Sequence, residues 1–381
     1  MKSILGVTIL CCILLSNFCN AKLLLVQVLA RYTETTPMST ADINEFFPEI
    51  SDFNVSIPEG WNHLTMQGRI DAVDLGYDFR FKYESVYRNH TTYYRAMNAP
   101  NAIETARLMA IGASIRCLRH DPRCLDTTNQ TNLDSMFNSI SKDRMEFDVK
   151  KMREDKLFFS NTICKNYGEE FFSEIKRQSN EIDDTLSELY DDLSYHTGAN
   201  FTTCAHAWIL YQYLQAKASV GLPLESWTED IFPDGALKNL TIQKFQTEST
   251  TDRMRRLLGG SLLSTFLKNI DDYKKGLTDH RLFVYVGDDY HIVGLLNALG
   301  MYDGEHIPNY GSYVELQLHE LPDENKQPKL FLVIRYKSGR DESAFPLLME
   351  IPGCFFLCSV EQVTSTLQNN ILEDFDKDCR Y

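Results

Sequence analysis

Apart from its first residues, the chain lacks any apolar run approaching the ~18 residues that cross a bilayer, so no membrane anchor is expected. It also lacks an excess of basic residues. Thirty-eight Lys and Arg stand against 53 Asp and Glu, a net charge of −15, which argues against nucleic acid and anionic membranes as partners. Cys and His at metal-ligand spacing are missing, and nothing calls for a metal or an organic cofactor. Internal repeats and low-complexity tracts are absent too. What remains is one acidic, globular chain, long enough for a large core.

Residues 1–21 read as a secretory leader. Lys2 precedes an apolar run from Ile4 to Leu15, and Cys19, Asn20 and Ala21 form a small-residue exit. Sequons at Asn54, Asn89, Asn129, Asn200 and Asn239 suit an extracellular glycoprotein. Ten cysteines, less Cys11, Cys12 and Cys19 of the leader, leave an odd number, so one thiol is free or bridges two molecules. Cys117 and Cys124 flank a short loop and are placed for local pairing.

Leu23–Ala30 is continuously apolar, as a strand covered on both faces should be. Pro100 opens a helical stretch. From Ile115 to about Trp227 the chain is mostly helical and polar, with Phe201–Ala218 a buried helix. Thr250–Tyr273 is helical again, Leu282–Gly287 a strand, and Tyr313–Leu321 and Leu330–Tyr336 a strand pair. Arg31 and Tyr32 end the first strand and Asp288 and Asp289 end a later one. They share the carboxyl edge of the sheet, where ligands bind in open α/β folds.

Those two strand ends resemble the histidine acid phosphatases. In that family a strand ends in Arg-His-Gly-x-Arg-x-Pro. Here Arg31 and Pro37 are kept, the nucleophilic histidine is Tyr32, and the second arginine is Thr35. Leu64, Thr65, Gly68, Leu75 and Gly76 match further family positions. Val86–Ala99 aligns with Arg-Ser-Thr-Asp-x-Asp-Arg-Thr-x-Met-Ser-Ala, which sets Tyr94 where a third phosphate-binding arginine stands; a shifted register would offer Arg95 instead. The family's His-Asp is Asp288-Asp289, followed by a similar helix, Ile292–Gly300. Pro352, Gly353, Cys354 and Cys358 match another element.

The resemblance implies an α/β fold of the phosphoglycerate-mutase-like kind. A central, mostly parallel sheet is flanked by helices (22–114 and 229–381), with an α-helical cap subdomain (115–228). It further implies disulfides Cys164–Cys379 and Cys354–Cys358, which leaves Cys204 unpaired, and it allows a homodimer. Monoester hydrolysis by this route needs an imidazole nucleophile and cations around the phosphate. The histidine and two arginines are replaced and Asp288 is added, so a pseudoenzyme is expected. A weak residual phosphatase using His291 or His90 is the competing reading.

Arg31, Tyr32, Tyr94, Asp288 and Asp289 compose a candidate receptor for an ammonium on an aromatic stem; drift after loss of catalysis is the plain alternative. The chain also resembles secreted acid-phosphatase-like proteins of blood-feeding insects, notably fleas. These are associated with trapping biogenic amines and leukotrienes, which counters vasoconstriction, platelet activation and inflammation. The similarity implies a secreted scavenger of small amine or eicosanoid ligands, the latter under the cap near Trp208 and Tyr211. A surface-acting effector, like a venom or salivary antigen, is the other class.

Overall fold

The computed structural model describes residues 21–50, 57–115, 130–142, 145–180, 184–322, 327–339, 345–354 and 357–379. The leader up to Asn20, Cys117, Cys124 and the sequons at Asn54 and Asn129 lie outside them. Strand β1 (Lys22–Arg31) is the apolar run, and it is buried from Leu24 onward. It lies in one sheet with β2 (Thr92–Ala96), β3 (Glu146–Val149), β4 (Leu282–Gly287), β5 (Tyr313–Pro322), β6 (Pro328–Lys337) and β7 (Leu347–Met349). The order is β3-β2-β4-β1-β5-β6-β7, and β8 (Cys358–Ser359) also pairs with β6. The first four are mutually parallel, and β5 to β8 extend the sheet antiparallel.

Helices cover both faces. On one lie α1 (Met66–Lys82) and α2 (Pro100–Ser114), where Phe79 meets Tyr313 edge-on and Lys82 and Tyr83 donate to the buried Glu315. α1 and α2 touch backbone to backbone at two glycines. A Cβ on Gly76 would lie 1.9 Å from the Met109 carbonyl oxygen, and one on Gly112 2.0 Å from that of Val73. No side-chain rotation relieves such a clash, so Gly112→Ala must push the helices apart. Overpacking costs ~1–3 kcal/mol or more. A melting temperature lowered by at least about 3 °C is expected, and an unchanged melt would contradict the packing.

A second hydrophobic core belongs to the cap. It is built by α3 (Lys165–Ser179), α4 (Asp184–Thr197), α5 (Ala207–Ser219) and α6 (Ala236–Thr247), through Ile175, Leu193, Leu210, Leu214 and Phe245. Ile43, which ends a short helix (Thr40–Ile43), and Phe47 join it from the segment after β1. The packing therefore divides the chain differently from the boundaries 115 and 228. β3 pairs with β2 in the main sheet, while α6 packs in the cap core. α7 (Ser261–Lys274) and α8 (Asp289–Leu299) cover the second face of the sheet, where Phe266 packs on Tyr285. Cys164 is bonded to Cys379 and Cys354 to Cys358, and Cys204 is free and buried. Asn200 and Asn239 are exposed. Asn89 precedes β2, at the sheet edge opposite the site described next, and accepts a hydrogen bond from Tyr87.

Candidate functional site

The carboxyl ends of β1 and β4 converge because the two strands pair in parallel, with Arg31 opposite Gly287. Asp288 then caps α8, accepting from the Asp289 N–H at 2.7 Å. Arg31 is completely buried. It donates to the Pro308 carbonyl (2.6 Å) and to Gln215 (3.2 Å), lies 3.5 Å from Asp288 and 3.7 Å from Asp289, and stacks 4.4 Å from the Tyr310 ring centroid. The Tyr32 hydroxyl donates toward Gln212 Oε1 (3.1 Å) and Asp288 (3.2 Å). Asp289 accepts from Trp208 Nε1 and Gln212 Nε2, both at 2.9 Å.

Burial sets the electrostatics. It works against the Arg31 charge, but Asp289, Tyr32 and Asp288 outweigh it, and the guanidinium pKa rises. Burial, reinforced by Asp288 and opposed by Arg31, lifts the Tyr32 phenol well above its ordinary range. Burial and the neighbouring Asp288 also push Asp289 up to about 7, against the pull of Arg31.

A cavity of about 290 Å³ opens beside this cluster. Tyr32, Tyr310, Trp208 and Asp288 form one part of its wall, and Met38, Met97 and Ile209 are among its apolar lining. Arg31 and Asp289 do not line it; they lie behind the wall. Tyr94 is not there either, which corrects the register read from the sequence. On a strand alternate side chains face opposite ways. Tyr94 points into the main core, while Arg95 points to the other face and pairs with Asp155 at 2.7 Å. The segment that lines the cavity comes after β2: Met97, Ala99 and Asn101. In the family motif the second arginine follows the first by six positions, and Asn101 stands six after Arg95. The register anchored on Arg95 thus makes Asn101 the replaced arginine.

Tyr310 and Gln212 were missed by sequence reasoning. Each sits on an element whose role appears only once the chain is folded: the loop before β5 and the cap helix α5. Trp208 lines the cavity, whereas Tyr211 packs on Phe232 inside the cap. His291 has both ring nitrogens engaged. Nδ1 accepts from the Asp288 N–H (3.0 Å) and Nε2 donates to the Phe158 carbonyl (2.8 Å), and burial lowers its pKa. It is a buried capping residue. His90 is exposed and precedes β2, away from the cavity.

Residues 20–336 match the family model of the histidine phosphatase superfamily, branch 2. The chain is 31% identical to venom acid phosphatase Acph-1 of Apis mellifera over 186 residues, 48% of this chain and 46% of that protein. It thus matches about half the length of that relative. It is 25% identical to the acid phosphatase-like protein XcAP-1 of Xenopsylla cheopis, over 58% of this chain and 64% of that one. A phytase from Klebsiella sp. ASR1 shares the fold, with a TM-score of 0.66 at 15% identity over 95% of this chain and 96% of its own. No helix among the described residues is long and apolar enough to cross a membrane.

Proposed function

The chain belongs to the histidine phosphatase superfamily, branch 2, and from that premise we propose that it is a secreted, non-catalytic member whose former phosphate cavity captures a small organic ammonium. The observation that carries this reading is the position of the charges. Asp288 reaches the cavity wall among Tyr32, Tyr310 and Trp208, whereas Arg31 is withdrawn behind the aromatic rings and directed to Pro308 and Gln215. A carboxylate ~4 Å away attracts a cation by about 4 kcal/mol at an effective dielectric of 20, and an aromatic face adds ~0.5–2 kcal/mol. The volume lies at the low end of the ~300–1,000 Å³ of small-molecule sites, which favours a compact aromatic amine over an eicosanoid chain. Similarity to a venom protein supports secretion.

Titration calorimetry with serotonin tests the proposal. Saturable binding is expected, weakened at least about tenfold by Asp288→Asn, since truncating a desolvated charged partner costs ~2–5 kcal/mol. The absence of saturable heat with any amine would favour the surface-acting effector.

The pH dependence follows from Asp289. Below about 7 its carboxyl is protonated, and the site carries one negative charge fewer beside Arg31. Above it, two carboxylates face one guanidinium and the site holds an uncompensated negative charge. The amine, with a pKa near the lysine value of about 10, stays cationic throughout. Affinity should therefore rise from pH 5.5 to pH 8, and an affinity flat over that interval would contradict the assignment.

A further inference from the structure

The amine reading accounts for one part of the cavity and leaves Asn101 unused. Asn101 lies in the first turn of α2, on the face of the sheet opposite α8 and Asp288. Its side chain lines the cavity and is only 7% exposed, yet its amide has no hydrogen-bond partner in the protein. A ligand that excludes water from this amide must replace its hydrogen bonds or leave it unsatisfied, so the amide favours a ligand with a matching polar group. Three neighbouring polar side chains are engaged: Thr36 with His63, Thr35 with Tyr310, and Gln212 with the two aspartates.

The chemistry of the missing partner is constrained. A side-chain amide both donates and accepts, so it suits a hydroxyl, which does the same. No basic side chain lines the cavity among the described residues, and Pro100 removes one of the free N–H groups of the helix start. A ligand carboxylate would thus be desolvated there without a counter-charge, which is costly.

We infer that Asn101 reads a hydroxyl on the ring of the bound amine, so the cavity selects hydroxylated arylalkylamines over their unsubstituted analogues. This rests on the amine reading of the site. The ammonium end is held at Asp288, and the ring spans the aromatic wall toward α2.

The test pairs two ligands with two proteins. Wild type and Asn101→Ala are titrated with serotonin and with tryptamine, which lacks the ring hydroxyl; tryptophan is the carboxylate-bearing control. Wild type should prefer serotonin by roughly three- to tenfold, the worth of one neutral hydrogen bond. Asn101→Ala should bind tryptamine at least as tightly as wild type does, which shows that the variant is folded, and should lose the preference. Equal affinity of wild type for the two amines, a preference that survives in Asn101→Ala, or tryptophan bound more tightly than serotonin would each overturn the inference while leaving the amine site standing. Failure of both amines to bind wild type would instead remove the reading on which it rests, and the inference with it.

Discussion

Turnover of a chromogenic phosphate monoester is expected to be at least about a thousandfold slower than that of a family member that keeps the histidine. Loss of a nucleophile and of each electrostatic partner costs orders of magnitude. The structure adds reasons beyond the missing imidazole. Tyr32 cannot serve as phenolate, because burial and Asp288 raise its pKa. Arg31, though kept, is turned to Pro308, Gln215 and the two aspartates. Thr35 and Asn101 are neutral, and Asp288 presents negative charge to an anionic substrate. For the same reasons Tyr32→His alone should not restore activity. Turnover within about tenfold of an active relative, in either protein, would overturn this account.

Arg31→Met is expected to be the most damaging single change at the site, for stability before binding. It would leave Asp288 and the fully buried Asp289 facing each other without a cation. Breaking a buried charge cluster on one side costs ~3–5 kcal/mol. The sign with pH is fixed. Asp289 already has a folded pKa raised above the unfolded value, and loss of Arg31 raises it further. Such a group favours the native state when protonated and loses that contribution as pH rises through its folded pKa. The gap in urea midpoint between variant and wild type should therefore be larger at pH 8 than at pH 5.5, and Asp289→Asn in the variant background should narrow it. A gap independent of pH would mean that the cluster is not what holds Arg31.

Much of this fold could be read from the residues. The apolar run of β1, the strand Leu282–Gly287 and the helix opened by Pro100 appear where their patterns place them. Burial on both faces and a proline at a helix start are local signals. The site was less readable. Tyr94 and Arg95 differ by one position, and on a strand one position decides which face a side chain occupies. Only the pairing of β2 with β4 fixes that. The difference between Asp288 and Asp289 depends on the same kind of information. They are adjacent and chemically alike, but one caps α8 at the cavity wall, and the other is sealed behind it by Trp208 and Gln212. The extent of the cap was less readable, because β3 is only four residues long and α6 is grouped by what it packs against rather than by its own sequence.

The bond between Cys164 and Cys379 closes a covalent loop 215 residues apart in sequence. Trp208, Gln212, Asp288 and Tyr310 all lie within that loop. A protease cutting one exposed segment inside it cannot release a fragment: the two pieces stay joined, and the cavity wall keeps its members. The integrity of the cavity is thereby decoupled from the continuity of the backbone within the loop. Such a chain would migrate intact until reduced.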